Sequence, residues 1–142
     1  MKRIRHKIQF LLLSISFSVA HIAAAEVVIV GNSNVPKIDV ATVQKIYAGK
    51  FISVEGVNIT PVSLKTGSTQ REQFLQIFMN QDEEKYTAYW TVRRYVGKGT
   101  PPNELESAAE VIKFIQSTPG AVGYIDETEV KDGVRVLLRG KN

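Results

Sequence analysis

Apolar and polar positions alternate along this chain in two rhythms, one suited to strands and one to helices. Glu26 to Gly31 (EVVIVG) is a continuous β-branched run that predicts a buried strand. After the polar loop Asn32-Ser33-Asn34-Val35-Pro36, Asp39 caps a helix whose Val40, Val43, Ile46 and Tyr47 fall on one stripe, and Gly49 ends it. Phe51 to Asn58 reads as a loop or short hairpin around Gly56. Ile59 to Leu64 is a second strand, with Pro61 arguing for a sheet edge or a late start because proline cannot donate to a ladder.

A helix is predicted from Thr69 to Met79, and another from Asp82-Glu83-Glu84 to Arg93-Arg94, with terminal charges that suit its dipole. Tyr86, Tyr89, Trp90 and Arg93 share one face of that helix, a spacing that usually marks core. Gly97 to Pro102 is a loop, and Ser107 with Glu110 forms a capping box that opens a helix with Ala108, Val111, Ile112 and Ile115 inward. Thr118-Pro119-Gly120 turns the chain into a strand over 121–125, and Lys131-Asp132-Gly133 leads to a last strand over 134–138. Strands alternating with helices predict an α/β domain with a largely parallel sheet flanked by helices, the last strand antiparallel.

The first residues change how composition is read. Lys2, Arg3, Arg5 and Lys7 precede an apolar run from Ile8 to Ala20, and Ala23-Ala24-Ala25 supplies the small residues of a cleavage site. Residues 1–25 are therefore expected to be a secretory signal peptide, and residues 26–142 one exported, periplasmic domain. Of the 18 Lys and Arg, four lie in that segment, leaving 14 against 14 Asp and Glu. The high isoelectric point thus belongs to the targeting segment, and a nucleic-acid partner is not expected. Both histidines, His6 and His21, also fall there, and the chain has no cysteine. Residues 26–142 accordingly lack Cys/His zinc ligands, His-based triads and thiol chemistry, so neither an enzyme, a metal site nor a cofactor is expected.

The stretch richest in chemistry is Lys65-Thr66-Gly67-Ser68-Thr69-Gln70-Arg71, a turn between a strand and a helix start. Other helix starts carry acids: Asp39, then Asp82-Glu83-Glu84, then Glu110 beside Ser107. This one has none until Glu72. With Ser68 as the cap, the amides of Thr69, Gln70 and Arg71 are left to water or an anion. Gly67 lets the backbone approach a ligand, and Lys65 and Arg71 add positive charge. The same residues also fit a helix that simply caps itself through Ser68. Charge-assisted hydrogen bonds contribute roughly 1.5–3 kcal/mol each, whereas micromolar binding needs about 8 kcal/mol. A lone domain is therefore expected to bind an oxyanion weakly.

On these residues the chain resembles the phosphate ABC-transporter substrate-binding proteins, of the type 2 periplasmic-binding fold. Val40 to Lys50 (VATVQKIYAGK) is similar to that family's helix ending in an aromatic-x-Gly-Lys signature. Ser117 to Tyr124 (STPGAVGY) resembles its Thr-Pro-Gly-x-x-Gly-Tyr turn, and Gly67-Ser68 its anion loop. The loop of that family reads Arg-Ser-Asp-Gly-Ser-Gly-Thr. Here Leu64 stands in place of the arginine, Thr69 of the second glycine and Gln70 of the threonine, so only Gly67 and Ser68 carry over. Family members close two lobes on their ligand, and this chain holds material for one. The resemblance implies a single periplasmic-binding-protein-like lobe that binds phosphate or a similar oxyanion and is linked to ABC-type uptake. A ligand-free interaction module is the alternative, its partner a membrane sensor or a second copy in a homodimer.

Two other constellations carry less. Lys65-Thr66-Gly67 matches a fragment of the serine β-lactamase motifs, but no Ser-x-x-Lys accompanies it. Glu104 and Glu106 form an acid pair of the kind glycosidases use, but beside a helix start they read as solvated acids.

Overall fold

The structure, a computed structural model, describes residues 26–140; the signal-peptide expectation lies outside them. Strand β1 (Val27–Gly31) is buried throughout. Helix α1 (Val40–Tyr47) starts at Asp39, whose carboxylate accepts from the Thr42 amide. A small hairpin, β2 (Ser53–Val54) and β3 (Val57–Asn58), turns at Glu55 and Gly56, both with positive φ. Strand β4 (Thr60–Leu64) leads to helix α2 (Thr69–Phe74), which continues as a π-helical turn over Leu75–Met79. Helix α3 (Glu83–Tyr95), strand β5 (Asn103–Leu105), helix α4 (Ala108–Ser117), strand β6 (Ala121–Asp126) and strand β7 (Arg135–Arg139) complete the order.

The main sheet runs β5-β4-β6-β1-β7. β4 is parallel to β5 and β6, while β1 is antiparallel to both β6 and β7. Four strands therefore share one direction and β1 alone is reversed; the last strand is antiparallel only to its single neighbour. β6 is the central ladder, and its side chains alternate between two helical layers. A Cβ at Gly123 would press on Val111 of α4, whereas the Tyr124 ring stacks on Phe74 of α2 at 4.0 Å. The sheet is thus covered on both faces, as its parallel part requires.

Pro61 does not sit at a sheet edge; β4 lies between two neighbours. The Thr60 amide donates to the Gly120 carbonyl on the β6 side. Alternation turns the Pro61 nitrogen towards the β5 side, where pairing begins only at Val62 with Asn103. The missing donor falls where no ladder exists yet, so an interior strand tolerates it.

Gly120 has φ +79, and a Cβ there would collide with the Asn58 carbonyl oxygen. Its amide donates to Asn34 Oδ1. The Thr-Pro-Gly-x-x-Gly-Tyr stretch is thus a packing device that brings the start of β6 against β3 and β4.

Candidate anion site

The C-terminal end of β4 is fixed from beneath by Tyr124. Its hydroxyl lies 2.7 Å from Ser63 Oγ and accepts from the Leu64 amide at 3.1 Å. Burial pushes the Tyr124 phenol up, although Ser63, Leu64 and Arg71 each oppose that shift. The chain then leaves the sheet through Lys65-Thr66-Gly67, with φ +90 at Gly67 and open space where a Cβ would be. Glycine is needed there for the left-handed turn, and the exposed backbone is approachable.

Ser68 caps α2: its hydroxyl accepts from the Arg71 amide at 3.2 Å. That removes one of the three donors the sequence left open. Among the described residues, the Thr69 and Gln70 amides have no protein acceptor.

The two cations behind the turn are engaged by the chain's own acids. Arg71 is buried at 5% exposure and forks onto Glu83, Nε to Oε2 at 2.8 Å and Nη2 to Oε1 at 2.7 Å. Its Nη1 donates to Glu104 Oε1 at 2.7 Å, to the Leu64 carbonyl and to Ser63 Oγ. Burial opposes the charge, but the hydrogen bonds and charge of Glu83 outweigh it and hold the guanidinium pKa above its ordinary value. Thr66 Oγ1 also donates to Glu104 Oε1, at 3.2 Å. Lys65 Nζ pairs with Glu106 at 2.9 Å on the surface. Glu104 is therefore the anionic group that Arg71 and Thr66 already hold.

The sequence reads Glu104 and Glu106 as solvated acids beside a helix start and Glu83 as a charge suited to the α3 dipole. The one available signal was the period-two pattern Glu104-Leu105-Glu106, which fits the edge strand β5. Beside the triad lies a half-open cavity of about 200 Å3, lined by Thr66, Arg71, Thr87, Trp90, Arg94 and Glu104 among others. No Cys or His occurs in the described residues, and no group of three or more carboxylates there could hold a metal.

Neither a scan of protein-family models nor a search of curated proteins returns a match. Among solved structures, the chain is similar to an ABC-type phosphate transport receptor from Vibrio cholerae, with TM-score 0.62 and 17% identity over 80% of this chain and 45% of that one. It is equally similar to a phosphate ABC transporter substrate-binding protein with bound phosphate from Clostridium perfringens (TM-score 0.62, 20% identity, 80% of this chain and 44% of that one). PstS from Borrelia burgdorferi gives TM-score 0.60 at 16% identity, over 80% and 47%. The chain thus spans less than half the length of each. Its fold is that of part of the phosphate ABC-transporter substrate-binding proteins, an α/β layer with a mixed, largely parallel sheet.

Proposed function

We propose that this chain is an exported oxyanion-binding lobe that takes phosphate or a similar anion weakly at Lys65, Gly67, Ser68, Thr69 and Arg71 and serves an ABC-type uptake system. The reading rests on one observation above the others: the Thr69 and Gln70 amides lack a protein acceptor among the described residues and flank an unobstructed Gly67. It draws further support from the likeness to solved structures of phosphate transport proteins. Lys65, 54% exposed at its side chain, is free to swing from Glu106 to an incoming anion. Arg71 has less freedom, because a ligand must first displace Glu104.

A titration followed by amide NMR tests this. Phosphate or sulfate in the millimolar range should move the Gly67 to Gln70 amides, and Glu104→Gln should tighten binding by roughly tenfold, equivalent to one charge-assisted contact. Absence of any shift at high millimolar anion rejects the site.

A second reading is a ligand-free module that docks on a membrane sensor or on another copy of itself. The favouring observation is the saturation of Arg71 by Glu83 and Glu104, two carboxylates on one guanidinium. That arrangement leaves the turn with little net positive charge.

A further inference from the structure

A second surface, next to the cavity beside Arg71, has its own character. Between Asp39 and Glu55, and again between Glu84 and Glu104, the sequence contains no acid. The loop after α1 and the last turns of α3 belong to these two stretches, and they meet. Tyr89 Oη donates to the Ala48 carbonyl at 2.6 Å, and a Cβ at Gly49 would press on the Trp90 ring. Phe51, Ile52, Trp90, Pro101 and Pro102 line one open groove there. Lys45 and Arg93 stand at this end, Lys50 follows Gly49 in its loop, Lys98 adjoins Arg93, and Arg94 lines the neighbouring cavity with Glu104. Lys45 Nζ lies over the Phe51 ring at 4.8 Å, and Arg93 stacks on Tyr89 and Trp90 while donating to the Lys98 carbonyl.

The same end exposes most of the large apolar side chains that the core leaves out. Ile52 is 79% exposed and Tyr95 92%, with Val92 and Val96 beside Tyr95 on α3. Protruding apolar tips and four cations share this surface, with Glu55 at the hairpin turn and Glu104 in the adjoining cavity as its acids. The β2–β3 hairpin with the residues before it and the loop Gly97 to Pro102 carry it, rather than a shape-matched pocket. A protein interface is built around a contiguous, closely packed apolar patch. Scattered apolar and aromatic tips with diffuse positive charge suit a bilayer interface, where the tips enter the headgroup region and the cations meet anionic lipid.

We propose that the loop 49–52 and the C-terminal end of α3 dock this protein on an anionic lipid surface. The proposal does not depend on the anion turn, although Trp90 and Pro101 line both this groove and the cavity beside Arg71.

Trp90, the one tryptophan of the chain, lines both this groove and the cavity beside Arg71, so surface variants of this end assign the contact. The full chain is mixed with vesicles of equimolar phosphatidylcholine and phosphatidylglycerol whose acyl chains are brominated, and Trp90 emission is followed. Docking through this end should quench Trp90 relative to unbrominated vesicles, and high salt or pure phosphatidylcholine should abolish the effect. Lys50→Glu/Lys98→Glu and Ile52→Ser/Tyr95→Ser, all at exposed positions, should each cut the quenching by about fivefold, reflecting lost charge and lost apolar contact respectively. Vesicle-bound protein with unquenched Trp90 would place the contact elsewhere and overturn the proposal. Quenching that survives in Lys50→Glu/Lys98→Glu, or no quenching in any vesicle, would overturn it as well. Retention on poly-glutamate without vesicle binding would reassign the surface to an acidic protein and likewise defeat the lipid assignment.

Discussion

Arg71 shows how one side chain can be both the best ligand candidate and a structural tie. Its side chain is 6% exposed and joins α2 to α3 through Glu83 and to β5 through Glu104. Removing one partner of a buried ion pair leaves a desolvated charge behind, which costs far more than the pair contributes. Arg71→Met is expected to lose about 3 kcal/mol of stability, read from the urea midpoint at unchanged slope. Adding Glu83→Gln should return part of that loss, since the orphaned carboxylate is then gone. Equal stability of the single and double variants would show that Glu83 is well solvated and the tie weak. What the sequence did not disclose is that Glu106 pairs with Lys65 and Glu104 with Arg71, each across a long stretch of chain.

At the scale of elements, most boundaries were legible because their signals are local. Asp39 and Ser107 each cap the helix they were expected to cap, and Asp82, read only as an acid suited to the helix dipole, caps α3; each accepts from the residue three further on. The hairpin at Glu55-Gly56 follows its glycine. β5 escaped because three residues hold too little pattern, and it exists only by pairing with β4. The π-helical turn at Leu75–Met79, which ends at Asn80 in a left-handed conformation, also escaped. The Gly120 turn is the element most sensitive to a single change. Gly120→Ala faces both a positive φ and a backbone oxygen that cannot yield. A loss of about 3 kcal/mol is expected in thermal unfolding, whereas Gly67→Ala, with space for its methyl, should lose only about 1 kcal/mol.

For the molecule as a whole, the core is held by aromatic side chains that carry buried hydroxyls. Tyr47 Oη donates to the Val62 carbonyl, and Tyr86 Oη to the Tyr47 carbonyl. Burial raises the pKa of Tyr47, Tyr86 and Tyr124 above the ordinary 10.0. Below pH 10 neither folded nor unfolded tyrosine ionises, so this contribution to stability is intact. Above it the unfolded chain releases protons that the native state retains, and stability must fall as pH rises. Urea midpoints measured from neutral pH to beyond pH 10 should drop on the alkaline side, less steeply in Tyr86→Phe. A flat profile would mean that water reaches these hydroxyls.

By itself the sequence determined most of the elements, the caps at Asp39, Ser68 and Ser107, the buried strand β1 and the balance of charge after the first 25 residues, because each follows from neighbours along the chain. It also located the glycine turn, which needs only a few consecutive residues. The tertiary structure alone decided that β1 runs against the sheet, that Pro61 is interior, and that Glu104 sits against Arg71. Those outcomes depend on which strand edges meet, and hydrogen-bond pairing and charge contact between remote residues leave no local trace.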